Sequence, residues 1–127
     1  MSEHNEIGKI GEKIAREFLM KHGFLILDTN FRTKFGEIDI IAEKDRIVHF
    51  VEVKSIKVRD LSNLNLNSFS PEDNLTHSKW RKFVKTAEFH NLIKNNNQKS
   101  IIDLVCVYID LEKRGGKVNI FEDIVKD

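Results

Sequence analysis

The sequence predicts an α/β domain in which a mixed sheet of about five strands is flanked by helices. Two observations predict it. An amphipathic segment precedes three closely spaced apolar runs, and a second amphipathic segment precedes two more. The central runs are apolar on both faces, as strands covered on both sides are. With 127 residues the chain reads as one domain, 1–127, able to build a core without disulfides.

Residues 6–22 carry the period of a helix. Ile7, Ile10, Gly11, Ile14, Ala15, Phe18 and Leu19 fall on one arc at about 100° per residue. Glu12 projects at the edge of that arc, and Gly23 ends the helix as a left-handed cap would. A strand over 24–30 follows, and the polar stretch from Asn30 to Lys34 connects it to a second strand, 36–43. Lys44, Asp45 and Arg46 make a short turn into a third strand, 46–54, so these two strands form an antiparallel hairpin. Residues 55–75 are rich in Asn, Ser and Asp, hold the only proline, Pro71, and read as a long mobile loop. Thr76 caps a second helix, 77–96, with Trp80, Phe83, Val84 and Ala87 as its apolar stripe. A fourth strand spans 101–110, and Gly115 and Gly116 turn the chain into an edge strand over 117–121.

The formal net charge of +1 neither supports nor excludes nucleic acid as a partner, so a DNA-binding surface has to come from charge segregation. The single cysteine, Cys106, lies in an apolar run and reads as a buried core residue in a reducing compartment. The polar, acidic start lacks the pattern of a signal peptide. No apolar run approaches the ~20 residues that span a bilayer. A cytoplasmic protein without a membrane partner is expected.

Side chains alternate along a strand, so Glu37, Asp39 and Ile41 are expected on one face, with Ile38, Ile40 and Ala42 on the other. In the next strand Val48, Phe50, Glu52 and Lys54 share a face. Buried charge is costly unless paired or metal-bound. An isolated Glu-x-Lys step is most often a strand ion pair. Here Asp39, a turn, and Val51-Glu52-Val53-Lys54 stand together in an apolar setting, which is more specific. Mg²⁺ takes hard oxygen ligands, one or two of them carboxylates. Asp39 and Glu52 can supply these, the carbonyl of Val53 can add a third ligand, and Lys54 can reach a water or developing phosphate charge.

These residues carry a resemblance. Gly8-x-x-Gly11-Glu12-x-x-Ala15, Gly23, Asn30-Phe31-Arg32, Gly36-Glu37-Ile38-Asp39-Ile40-Ile41-Ala42 and Phe50-Val51-Glu52-Val53-Lys54 lead on to Ser70-Pro71, Thr76, Lys79 and Asp103-Leu104-Val105. The whole resembles the uncharacterised bacterial YraN-like family of the PD-(D/E)XK, restriction-endonuclease-like superfamily, which is similar to archaeal Holliday junction resolvases. The resemblance implies a restriction-endonuclease-like fold and a Mg²⁺- or Mn²⁺-dependent endonuclease acting on DNA, with branched or structured forms as the candidate substrates. It implies Asp39 and Glu52 as metal ligands, Lys54 as the catalytic lysine and Glu12 as a first-helix glutamate approaching the metal through water. Superfamily relatives often form homodimers, although no interface can be read from this sequence. The departures are Ile38 in place of proline, Ile56 in place of arginine, and Ile101-Ile102-Asp103 in place of Arg-Phe-Asp. The last two fall on phosphate contacts rather than on the metal triad.

Arg32, Lys34, Lys57, Arg59, Lys79, Arg81, Lys82 and Lys85 form a phosphate-tracking rim if they converge, and solvated helix flanks if they do not. Arg32, Lys57, Lys79 and Lys82 are the candidate nucleic-acid contacts, Lys79 through the family match. Trp80 reads as core rather than as a base-stacking platform. His49 reads as a satisfied buried histidine, and His77 and His90 as surface residues. A non-catalytic binding module that keeps the nuclease fold is the alternative to an enzyme.

Overall fold

A computed structural model describes residues 2–64 and 75–124. Its elements are α1 (Glu3–Lys21), β1 (Leu25–Thr33), β2 (Gly36–Lys44), β3 (Ile47–Lys57), a 3₁₀ turn (Leu61–Asn63), α2 (His77–Ile93), β4 (Ser100–Asp110) and β5 (Gly115–Phe121). The five strands form one sheet in the order β1-β2-β3-β4-β5. The β3–β4 pair is parallel and the other three are antiparallel. The mixed sheet and its two helices are the α/β, restriction-endonuclease-like arrangement the sequence predicts. Among the described residues, no helix is long and apolar enough to cross a membrane.

Each face of the sheet has its own cover. On one side Ile7, Ala15 and Leu19 of α1 pack with Ile40, Ala42, Val51, Val105 and Val107. On the other, Phe83 and Ala87 of α2 pack with Ile38, Ile41, Val48 and Phe50. Farther along that second face, Leu104, Cys106 and Tyr108 are covered by Leu61 and Leu64 around the 3₁₀ turn. Cys106 is buried, and burial pushes its thiol up to about 12, so it stays protonated. Fully burying a Leu or Ile side chain contributes roughly 1.5–3 kcal/mol, so the two apolar layers are what hold both helices on the sheet.

Local chemistry sets the ends. Ser2 accepts from Asn5 N and starts α1 before the expected boundary. Gly23, at φ 87, ends it as expected. Asp45 and Arg46 adopt φ 52 and 66, the left-handed pair of a type I′ turn, and close the β2–β3 hairpin. Thr76 accepts from Lys79 N at 3.2 Å and caps α2.

Several boundaries differ from the sequence reading. Asn30 to Thr33 belong to β1, because the β1–β2 pairing continues to Thr33↔Gly36 and leaves only Lys34 and Phe35 as the turn. The start of the expected loop 55–75 is ordered as the end of β3 and the 3₁₀ turn, while its part 65–74 lies outside the described residues. Gly115 and Gly116 lie in β5 rather than in the turn. The buried face of α2 is Phe83, Thr86, Ala87 and His90, a step round from the expected stripe. His90 is therefore buried, edge-on to Phe31 and Phe50, and burial lowers its pKa. His77 is exposed as expected. His49 is a satisfied buried histidine, its Nδ1 lying 2.6 Å from Asp103 Oδ2.

Candidate functional site

The sheet forks between β2 and β3. Their paired register runs from Lys44↔Ile47 to Ile40↔Val51 and stops there. Beyond that point β2 stays paired with β1, down to Gly36, and β3 stays paired with β4, out to Lys57. Asp39 and Glu52 are the first residues past the last pair. The Asp39 side chain takes over the lost backbone contact, since Val53 N donates to Asp39 Oδ2 at 2.8 Å. Strict alternation also fails here. Ile38 packs in the α2-side cluster with Ile41, not on the expected face with Ile40 and Ala42.

The fork forces two carboxyl groups together. Asp39 and Glu52 are both half-buried and adjoin at the fork. Burial raises the pKa of Asp39, a shift opposed by the Val53 N–H bond. Burial, then the charge of Asp39, pushes Glu52 up to about 9, with Lys79 pulling the other way. Two like charges in a half-buried fork cannot both ionise cheaply, so the pair retains a proton near neutral pH unless a cation compensates it.

Glu12 enters from the opposite side of the fork. A Cβ on Gly11 would overlap Ser55 Oγ, so only glycine allows α1 to approach β3 this closely. The approach carries Glu12 over Asp39, and burial, followed by the charge of Asp39, raises its pKa. Asn30 holds it there. With its amide nitrogen facing the carboxylates, the orientation its surroundings demand, Asn30 donates to Glu12 Oε1 at 2.9 Å and Glu37 Oε1 at 3.2 Å. Asn30 sits at φ 52, a conformation asparagine tolerates better than most residues.

The fork opens into a cleft of about 560 Å³. Glu12, Asp39, Glu52, Val53 and Lys54 all line it, and so do Arg32, Lys79 and Lys82. Arg32 is largely exposed, with its Nε 3.4 Å from Glu37 Oε2. Lys57 does not line the cleft and instead bonds Glu3 Oε1 of α1 at 2.5 Å. The donor set suits a hard divalent cation: two adjoining carboxylates with raised proton affinity, a third carboxylate nearby, and room for water. Among the described residues no three His, Cys, Asp or Glu side chains converge as a complete ligand set. Mg²⁺ does not need one, because it retains waters and takes phosphate oxygens.

A family profile described as "Uncharacterised protein family UPF0102" matches residues 11–111. The chain belongs to this family. A UPF0102 protein of Campylobacter lari is 42% identical over 100 residues, covering 79% of this chain and 81% of that one. One of Caldicellulosiruptor bescii is 36% identical over 120 residues, 93% of this chain and 95% of the relative. One of Flavobacterium psychrophilum is 36% identical over 123 residues, 97% and 96% of the two chains. The matched span of the UPF0102 family profile begins at Gly11, the close-approach glycine, and takes in the whole fork.

Sequence reasoning missed Asn30, Glu37 and Ser55 as members of this site. Glu37 could have been found from its strand alternation with Asp39. Asn30, a left-handed asparagine inside a strand, leaves no periodic signal, and only its place in the Asn30-Phe31-Arg32 motif pointed to it.

Proposed function

We propose that this protein is a Mg²⁺-dependent nuclease-like domain that hydrolyses phosphodiester bonds in DNA of branched or otherwise structured form. The observation that carries this reading is the half-buried Asp39–Glu52 pair at the fork, which lines one cleft together with Lys54 and Lys79. A half-buried carboxylate pair is costly in isolation and becomes favourable once a divalent cation sits against it. Mn²⁺ fits the same oxygen donors.

Asp39, Glu52 and the Val53 carbonyl would hold the cation. When bound, it supplies charge compensation to the transferring phosphoryl group and acidifies a water. Lys54 is exposed at the cleft and is free to swing toward the attacking water or a phosphate oxygen. Glu12 lines the cleft and, with its raised proton affinity, would accept a proton from the attacking water. Lys79, Lys82 and Arg32 sit along the cleft and neutralise flanking phosphates. Asn30 keeps Glu12 and Glu37 oriented while the site changes protonation.

The test is incubation of the protein with duplex, forked and four-way DNA in the presence of Mg²⁺ or Mn²⁺. Metal-dependent cleavage that disappears in Asp39→Ala and Glu52→Ala supports the reading. No cleavage by the native protein, or undiminished cleavage by those variants, overturns it. The formal net charge of +1, with Ile56 and Ile101 where the resemblance expects arginine, favours a second reading, a DNA-binding module that keeps the fold without turnover. Salt-dependent DNA binding without cation uptake would distinguish it.

A further inference from the structure

The turn of the β1–β2 hairpin lies against α2 at the mouth of the cleft. Gly36 lines the cleft, and a Cβ built on it would sit 3.4 Å from Thr86 Oγ1 and 3.8 Å from Lys82 Cβ. One residue earlier, Phe35 meets Phe89 of α2 with ring centroids 6.4 Å apart and planes at 62°. Phe89 remains 38% exposed, whereas Phe83, the aromatic that docks α2 on the sheet, is only 4% exposed. Lys34 Nζ lies 5.3 Å from the Phe35 ring centroid and Lys85 Nζ lies 6.0 Å from it. Between Lys79 and Lys85 the helix carries Arg81 and Lys82 as well, and no acid.

A single exposed phenylalanine needs no explanation. Two rings in edge contact, attended by two ammonium groups and next to the part of the cleft that Gly36, Lys79 and Lys82 line, are another matter. Proteins that grip single strands without sequence preference combine aromatic faces for bases with a basic track for phosphates. We propose that Phe35 and Phe89, with Lys34 and Lys85, form a stacking platform for unpaired bases beside the cleft. The preferred DNA is then a duplex that carries an unpaired stretch next to the phosphate that a cation at Asp39 and Glu52 would hold. The four steps from Phe35 to Asp39 span roughly 13 Å at strand rise, a few nucleotide steps. The platform deepens the nuclease reading, because that reading supplies the position of the phosphate. It is tested without cleavage, so the two can fail separately.

The experiment is fluorescence anisotropy with the full chain in EDTA, comparing a short blunt duplex with the same duplex bearing a single-stranded tail. The native protein binds the tailed DNA more tightly. Phe35→Ala with Phe89→Ala weakens tailed-DNA binding roughly fivefold or more, as loss of one to two stacked bases does, and leaves blunt-duplex binding within about twofold. Phe35→Leu with Phe89→Leu, which keeps apolar bulk against α2, gives the same selective loss. Lys79→Ala weakens both DNAs alike. Equal binding of the two DNAs by the native protein overturns the platform, and so does an equal loss on both in the leucine variant. A shift in oligomeric state on ring removal also overturns it, since the rings then cover a protein contact. Tail-selective binding without any metal-dependent cleavage leaves the platform standing and removes the nuclease reading.

Discussion

Val53 donates its backbone N–H to Asp39 Oδ2 at 2.8 Å, one step past the last backbone pair, Ile40↔Val51, of the β2–β3 ladder. The Asp39 carboxyl is therefore the peg that ends a strand pairing. Asp39→Asn retains an acceptor for Val53 and removes the repulsion with Glu52. It is expected to raise the stability of the cation-free protein by about 1–3 kcal/mol near neutral pH, while abolishing cation uptake. Thermal melts with and without Mg²⁺ check both halves. A variant that melts lower than native without metal contradicts the strain assigned to the pair.

The proton on Glu52 makes stability depend on pH in a defined direction. Its folded pKa is raised from 4.5 to about 9, so the folded state binds the proton more tightly than the unfolded chain does. This contribution is fully present below pH 4.5 and is lost as pH rises toward 9. Between those values the cation-free protein should lose at most about 1.4 kcal/mol per pH unit from this group. A saturating divalent cation should flatten the slope, and cation binding should tighten as pH rises and release a proton. Urea midpoints measured across this window, with and without Mn²⁺, read the effect. A stability that climbs steadily toward pH 9 in EDTA would contradict it.

Asn30 is expected to act on the cation only through Glu12 and Glu37. Asn30→Gly keeps the left-handed backbone and deletes the amide. Mn²⁺ affinity by calorimetry should drop about 10- to 100-fold, the usual cost of removing a group that orients ligands, while the melting temperature changes little. Native-like affinity in Asn30→Gly would show that Glu12 is held by other means.

Gly11 carries the opposite kind of constraint. Gly11→Ala drives a methyl into Ser55 and should destabilise the fold by roughly 1–3 kcal/mol. Adding Ser55→Gly removes the two side-chain atoms in the way, so the double variant should recover most of that loss. Denaturation of both variants tests the contact, and additive effects would argue that α1 and β3 are not pressed together here.

The His49–Asp103 pair is structural. Asp103 is fully buried, accepts from His49 on one oxygen and from Asp123 N on the other, and so ties β3, β4 and the segment after β5 together. His49→Ala leaves one oxygen of the buried Asp103 carboxyl without its partner and should cost roughly 1–3 kcal/mol. Loss of under 1 kcal/mol in urea denaturation would mean that the pair is dispensable.

The order of elements, the hairpin at Asp45 and Arg46, the Thr76 cap and the burial of His49 and Cys106 were legible because each rests on local patterning or on an apolar run. So was the composition of the fork: Asp39, Glu52 and Lys54 stand out as charges on apolar strands. Relations decided by docking were not legible. Thr86 and His90 replace Trp80 and Val84 on the buried face of α2 because the helix rotates to seat Phe83, and 3.6-residue periodicity cannot supply that phase to within one side chain. The polar residues Asn30, Arg32 and Thr33 hide the end of β1, since β2 alone holds it there. Lys57 finds Glu3 across the fold, a long-range pair that no spacing rule anticipates.

The single parallel pair also sets the order of assembly. β1, β2 and β3 can meet through short turns, but β3 finds β4 only after α2 has been made, across contacts such as His49 to Asp103, 54 residues apart. Until then the central strand presents Val48, Phe50 and Val51 on an open edge. A chain truncated before β4 would leave the β3 edge from Val48 to Lys57 without its partner, and an apolar strand edge of that length is a template for aggregation.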